Sequence, residues 1–382
     1  MLKKSPSGRQ QVPTLPIAPP KCPCHFNSSC TDPQLGDTDD LYDMNQTATN
    51  DPLYKKLIRR TISVTVVSVL WLLFTSLFPL ALLLLPPLDI FTGSKLSRSR
   101  FYLFLVAFLS FEVGGLLRAF AIKMLRVTRL LSDASYLKLN FELQCWWASG
   151  IFDTLLGLYQ AKLRVIGLEA TEGKGPAIIL SRHVSSADSL IPTKFISKVQ
   201  SRPLRFIMKR ELLWDPCLDI VGHRLPNVFV DRKERDDALG QIQALTHNLT
   251  AAEGVVLFPE GTRFTARRQA AIRASLAKKN DQDALSLANR LEHTLPPRPA
   301  GFTALLDSIP DCDLILCAHS GLEVVHDISA LLSGELVGRE IAIHFWRVSA
   351  AELPSGTDNQ TRWLNETWQV MDQKVGELAT PG

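Results

Sequence analysis

The chain has 382 residues, 46% of them hydrophobic and 21% charged, with a formal net charge of +4. A domain takes roughly 100–200 residues, so this length holds one large catalytic domain plus accessory segments. The mild basic excess suits an anionic membrane surface or a phosphate-bearing substrate and falls short of the bias that nucleic acid demands, so no nucleic-acid partner is expected.

Residues 1–54 are polar, rich in Pro, Ser, Thr, Asn and Asp, and without a sustained apolar period. Such a stretch cannot bury enough surface to offset its ordering entropy and reads as a disordered tail. Cys22, Cys24 and Cys30 lie in it beside His25, but one C-x-C and a distant cysteine lack the paired C-x-x-C spacing of a zinc site, and no metal is called for. Cys145, Cys217, Cys312 and Cys317 sit among apolar neighbours and read as small buried side chains, which implies no oxidising compartment.

Residues 55–125 read as a membrane-anchoring helical region with one or two spans. From Ile62 to Leu85 no charge interrupts a run dense in Leu, Val, Phe and Ile, and about 20 apolar residues cross a bilayer core as a helix. A buried core helix is the bland alternative, but such helices are usually shorter and show a polar face. A second run, Phe101 to Leu117, is interrupted by Glu112 and the pair Gly114-Gly115. A carboxylate at mid-bilayer costs about 3 kcal/mol unless it is paired or near a boundary. The two runs therefore predict a hairpin, or one span plus one interfacial helix. Lys55, Lys56, Arg59 and Arg60 precede the first run; Lys95, Arg98 and Arg100 lie between; Arg118, Lys123, Arg126 and Arg129 follow. The excess in the outer groups points to a cytoplasmic catalytic side. The first run starts too far along the chain, and is too long, for a cleavable signal peptide, so it reads as an anchor.

Residues 126–382 read as the catalytic domain. From Phe141 to Tyr159 apolar residues recur at helical spacing. Trp146 and Trp147 suit a water–lipid boundary with the indole N–H wet, or equally a core-packed helix. From Lys162 onward short, often β-branched runs alternate with helical segments: 164–167, 177–180, 205–208, 227–230, 254–258, 313–317 and 341–345, with helices over Asp236–Ala252 and Arg267–Arg290. The pattern predicts an α/β fold, a mostly parallel sheet covered by helices and preceded by the hydrophobic helical region.

Two strings carry chemistry, and both follow directly on predicted strands, where α/β folds place their sites. In His183-Val-Ser-Ser-Ala-Asp188 an imidazole has a carboxylate five positions on. That is not the three or four of a helix face, so contact requires a turn, which Ser185 and Ser186 suit. A histidine has the pKa to take a proton from an alcohol, and a carboxylate on its other ring nitrogen fixes the tautomer and stabilises the imidazolium. Phe258-Pro-Glu-Gly-Thr-Arg263 sets a carboxylate, a glycine and a guanidinium after an apolar run. Glycine lets backbone approach closely, and Arg263 with nearby amides can hold phosphate or an oxyanion. Ser181, Ser185, Ser186 and Ser189 lie near the histidine, but G-x-S-x-G is absent, so no serine nucleophile or covalent intermediate is called for.

The two strings together resemble the signatures H-x-x-x-x-D and F-P-E-G-T-R of the 1-acylglycerol-3-phosphate acyltransferase family. Further blocks are similar in order and type: Asn227-Val-Phe-Val-Asp-Arg232 to F-I-x-R, Leu295-Pro-Pro-Arg-Pro-Ala-Gly-Phe302 to L-x-P-R-x-x-G-F, and Lys209-Arg-Glu-Leu-Leu-Trp-Asp-Pro216 to K-x-E-L-x-x-x-P. The resemblance covers about Leu163 to Val348 and is closest to the branch with eukaryotic lysophosphatidate and lysocardiolipin acyltransferases. It implies transfer of a fatty acyl group from acyl-CoA or acyl carrier protein to the hydroxyl of 1-acylglycerol-3-phosphate, giving phosphatidic acid in phospholipid biosynthesis, without a metal or redox cofactor. In that reading His183 is the base and Asp188 orients it. Glu260, Gly261, Thr262 and Arg263, with Arg232, hold the acceptor phosphate, Glu260 by orienting the arginine or the glycerol hydroxyl; Lys209 adds positive charge, and Arg298 belongs to an element associated with acyl-donor binding or packing near the site. The family commonly has Asn before the histidine where this chain has Arg182, a charge that would favour an anionic acceptor. The alternatives are another lysophospholipid acceptor, a transacylase, or a catalytically silent lipid-binding membrane protein.

Overall fold

The computed structural model describes residues 51–230 and 238–380. Strands form at each of the seven apolar runs: β1 Lys162–Ile166, β2 Ala177–Ser181, β3 Leu204–Lys209, β4 Val228–Val230, β5 Gly254–Leu257, β6 Asp313–Ser320 and β7 Glu340–Val348. Their order in the sheet is β1-β7-β6-β2-β5-β3-β4. From β6 to β4 the strands are parallel; β7 runs antiparallel to β6 and carries β1 beside it in its own direction. The expected mostly parallel sheet is present, with one antiparallel seam.

Side chains alternate across this sheet with the period of two that a pleated strand imposes. Ile179, Phe206, Val256, Ile315 and Ile343 face one apolar layer, and Ile178, Leu180, Val255, Leu314 and Ala342 face the other. All five residues of β2 are buried, and each large aliphatic side chain so placed contributes about 1.5–3 kcal/mol relative to exposure. This central strand is held along its whole length, and His183 follows two residues after its end at Ser181.

The helices are α1 Leu53–Ser76, α2 Phe78–Thr92, α3 Ser97–Val127, α4 Asp133–Tyr159, α5 Pro216–Gly222, α6 Ala238–Thr246, α7 Ala266–Lys279, α8 Gln282–Arg290, α9 Pro299–Ser308 and α10 Thr357–Ala379. The helix expected over Arg267–Arg290 is two, because Asn280 takes a left-handed conformation at φ 55° and ends α7. The apolar run Ile62–Leu85 is likewise not one helix. It breaks at Leu77, and Pro79 sits in the first turn of α2, where a missing N–H is tolerated.

α1 and α3 are each long and apolar enough to cross a membrane by length and composition. They differ in surroundings. α1 and α2 expose Leu72, Leu73, Leu80, Leu83, Ile90 and Phe91, whereas α3 lies along α4. The ring of Phe111 packs where a side chain at Gly150 would stand, since a Cβ there would fall 2.2 Å from it. Glu112 accepts the indole N–H of Trp147 at 2.7 Å and the amide of Cys217 at 3.3 Å, so the carboxyl group that interrupts the second run is hydrogen-bonded inside protein. Trp147 is buried and its N–H is not wet, while Trp146 lies under the Arg118 guanidinium. The core-packed alternative for this helix is the one the chain adopts. Cys145, Cys217, Cys312 and Cys317 are buried free thiols, as expected; the cysteines at 22, 24 and 30 lie outside the described residues.

The start of α1 is fastened to α5 by charge. Buried Asp219 accepts from Arg59 at 3.2 Å and from Arg60 at 3.0 Å, and lies 3.0 Å from His223 Nδ1. Burial pushes this carboxyl up, but His223, Arg60 and Arg59 outweigh it and hold the group well below its ordinary 3.8. A depressed carboxyl stabilises the fold above the unfolded value and loses that contribution as pH falls below it. Asp219→Ala therefore lowers stability by about 3 kcal/mol near neutrality, by taking the shared carboxylate from Arg60 and His223 and leaving Arg59 with Asp51 alone. The gap from the unmutated protein narrows below about pH 4, as measured by thermal melts of the detergent-solubilised protein.

Candidate active site

The C-terminal ends of β2, β5, β3 and β4 share one rim of the sheet. The chain leaves β2 towards β3 and leaves β5 the opposite way, past β2, to reach β6. The loops after β2 and β5 thus diverge at a switch point, the crevice where open α/β sheets bind ligands.

Residues 183–188 fold into a turn around the Asp188 carboxylate. Its Oδ2 accepts from the amides of Val184 at 2.6 Å and Ser185 at 2.8 Å, and its Oδ1 lies 3.1 Å from His183 Nδ1. Ser185 donates its hydroxyl to the carbonyl of Val325 at 2.5 Å and accepts from the amide of Ala187 at 3.0 Å. Asp188 is buried. Burial raises its pKa, but the His183 contact, the imidazole of His319 and the Ser185 amide together hold it below the usual carboxylate range. An ionised carboxylate only accepts, so His183 Nδ1 carries a proton, and in the neutral tautomer this selects the lone pair falls on Nε2. The ring is 16% exposed and packs on Phe258, with centroids 4.7 Å apart. Among the described residues Nε2 has no hydrogen-bond partner.

The loop after β5 is bonded directly to this turn. The amide of Phe264 donates to the carbonyl of His183 at 2.7 Å, and Arg263 Nη1 donates to Ser186 Oγ at 3.1 Å and to the carbonyl of His326 at 2.8 Å. Gly261 has φ +65°, and a Cβ on it would lie 3.1 Å from Arg298 Cδ. The Arg298 side chain thus covers the glycine turn, while its amide donates to the carbonyl of Pro259 at 2.8 Å. Arg263 and Thr262 are half-exposed and Arg298 is exposed. Lys209 ends β3 on the same rim. Arg232 lies outside the described residues.

Two expectations need correction. Glu260 does not present its carboxylate to a substrate: it is buried, with Oε1 accepting the amide of His183 at 3.1 Å and Oε2 the amide of Leu295 at 2.9 Å. Burial pushes its carboxyl up to about 8, against the pull of the Leu295 amide, Arg182 and the His183 amide. Arg182 does not add charge to the pocket either. It is 1% exposed, points inward, and donates to the carbonyls of His293 at 2.7 Å and His319 at 2.7 Å and to the Glu323 carboxylate. Sequence reasoning also passed over His319, whose Nε2 lies 3.1 Å from the carbonyl of Arg182 and 3.9 Å from Asp188 Oδ2. Burial holds that imidazole below its ordinary 6.5.

The Acyltransferase family model matches residues 162–295, which hold β1 to β5, the histidine turn and the glycine turn. That stretch of the chain therefore matches an acyltransferase domain. It is 28% identical over 162 residues to lysocardiolipin acyltransferase 1 of Danio rerio, covering 39% of this chain and 38% of that protein. It is 22% identical over 228 residues to 1-acyl-sn-glycerol-3-phosphate acyltransferase epsilon of Mus musculus, covering 54% of this chain and 59% of that one. Lysophosphatidylinositol acyltransferase 10 of Caenorhabditis elegans is 27% identical over 158 residues, 40% of this chain and 37% of that protein. The matched stretches thus span less than two thirds of these relatives. A solved structure, the acyltransferase PlsC from Thermotoga maritima, aligns with a TM-score of 0.40 and 14% identity over 70% of this chain and 97% of that one.

Gly261 is the most sharply constrained position of the glycine turn. In the acyltransferase domain Gly261→Ala is expected to lose about 1–2 kcal/mol from the left-handed backbone alone, and more from the contact with Arg298. Denaturant melts check this, and an unchanged midpoint would mean that the turn does not hold this conformation.

Proposed function

We propose that this protein moves a fatty acyl group from acyl-CoA, or from acyl carrier protein, to the free hydroxyl of 1-acylglycerol-3-phosphate at a membrane surface, giving phosphatidic acid. The observation that carries the reading is the His183–Asp188 pair, with Nδ1 held, Nε2 unpartnered among the described residues, and the Arg263 and Arg298 side chains at the adjoining loop.

In the proposed reaction His183 Nε2 takes the proton of the acceptor hydroxyl as its oxygen attacks the thioester carbonyl. The tetrahedral intermediate collapses by breaking the C–S bond, and the imidazolium returns the proton to the leaving thiolate. Asp188 stabilises the imidazolium meanwhile. Proton and electron pair balance with no metal or redox cofactor. Arg263, Arg298 and Lys209, with Arg232, are the cations proposed to hold phosphate, and the bidentate geometry of a guanidinium suits that task.

Membrane anchoring has a physical reason, since acceptor and product both reside in the bilayer. The exposed apolar side chains of α1 and α2 supply the apolar surface, and the Lys and Arg residues at the ends of the two runs favour a cytoplasmic catalytic side. The names of the relatives, which include lysocardiolipin and lysophosphatidylinositol acyltransferases, support a second reading in which the acceptor carries a larger headgroup.

Labelled acyl-CoA offered with a panel of lysophospholipids tests both readings. Transfer to lysophosphatidate above the other acceptors is expected, and His183→Ala is expected to lower the rate by about 10²–10⁴-fold, the usual worth of a general base. Faster transfer to another lysolipid would move the acceptor. Free fatty acid without acylated lipid would mean a hydrolase, and no transfer at all a silent lipid-binding protein.

A further inference from the structure

Arg182 and Glu260 hold the backbone on either side of the His183 amide, and both lean on one short segment, residues 292–295. Arg182 donates to the carbonyl of His293 through Nε at 3.1 Å and Nη2 at 2.7 Å. Glu260 spans from the amide of Leu295 to that of His183. The segment lies in neither helix nor strand, so its geometry must come from elsewhere.

It comes from α10. The buried carboxylate of Asp372 accepts the amide of Glu292 at 3.0 Å on Oδ2, and the amide of His293 at 2.8 Å and the hydroxyl of Thr294 at 2.8 Å on Oδ1. Its neighbours on the helix, Leu364, Trp368, Met371 and Val375, pack into the apolar layer under the sheet. Asp372 alone among these residues reaches the segment through hydrogen bonds. α10 also lies beyond residues 162–295, the part of the chain matched by the family model.

We propose that Asp372 is a positioning residue for His183, acting from the C-terminal helix through residues 292–295 on Arg182 and Glu260. In Asp372→Asn one carboxylate oxygen becomes an N–H donor, the remaining oxygen can keep at most two of the three bonds and loses its charge, and the segment shifts to satisfy the donor left over. The carbonyl of His293 and the amide of Leu295 move with it. Arg182 and Glu260 then release the peptide that carries the imidazole, while the Asp188 turn is left intact. A displacement of about 1 Å at a reacting group, made from a distance, lowers a rate by up to about 10²-fold.

The test compares Asp372→Asn with Leu364→Ala in the full-length detergent-solubilised protein, well below both melting temperatures. Leu364→Ala removes a buried side chain from the same helix without touching residues 292–295, so it controls for lost stability. Amide hydrogen exchange, read by mass spectrometry on peptides covering 182–189 and 291–298, is expected to quicken about tenfold in Asp372→Asn and not in Leu364→Ala. In steady-state acyl transfer Asp372→Asn is expected to lose about 10–100-fold in kcat, with the acceptor KM within about threefold. Thr294→Val removes one of the three bonds and gives a smaller effect of the same kind; it stands in if Asp372→Asn does not fold. Unchanged exchange over 182–189 in a folded variant, or a kcat loss shared equally by Leu364→Ala, overturns the proposal. The kinetic arm rests on the acyl-transfer reading above. If the unmutated protein transfers no acyl group, that reading falls while the exchange measurement still decides the role of Asp372.

Discussion

A single buried carboxylate organises the site. Asp188 is fully buried, so it gathers the amides of Val184 and Ser185 and the Nδ1–H of His183 around itself. An ionised carboxylate in the interior is tolerable only when so many donors converge on it. The same bonds that meet this requirement bend the chain into the turn and point the second nitrogen of the imidazole outward. The bonds that satisfy the acid and the outward aim of the imidazole are one arrangement.

Around it the fold works as a set of brackets. β2, buried over its whole length, delivers Arg182 and His183 to the rim. Glu260 and Phe264 of the following loop grip the His183 amide and carbonyl. Arg182 runs back into the interior, where Glu323 neutralises it; burial alone would raise the Glu323 carboxyl, and Arg182 outweighs this to hold it low. The charged groups nearest the histidine therefore divide in two. Arg182, Asp188 and Glu323 lie within or against the protein and fix geometry, while Arg263 and Arg298 lie towards solvent.

The strands and the rim were legible because short β-branched runs and the order of the two motifs are local properties of the chain. The pairing of His183 with Asp188 was legible for the same reason, since five residues cannot bring them together except through a turn. The inward roles of Glu260 and Arg182 were not. Their partners, Leu295, His293, His319 and Glu323, are remote in sequence, and nothing in a string such as Phe258-Pro-Glu-Gly-Thr-Arg263 tells whether its acid faces solvent or a backbone amide. Composition separated apolar from polar segments well but did not tell lipid from protein as the apolar surroundings. α1 and α3 have similar hydropathy, yet Glu112 on α3 is bonded to Trp147 and Cys217. The break at Leu77 was visible in Pro79, which a reading by hydropathy alone passes over.

The central claim, that Asp188 works as an ionised acceptor aiming His183, is tested most directly by Asp188→Asn. The amide keeps the shape of the side chain but presents a donor where two amides and an imidazole N–H expect an acceptor. The account predicts that acyl transfer by the folded variant falls about 10³–10⁴-fold, as when a base loses its orienting carboxylate. It also predicts that adding His183→Ala lowers the rate little further, because the two residues act as a unit. A folded Asp188→Asn protein that transfers acyl groups at close to the unmutated rate would contradict it.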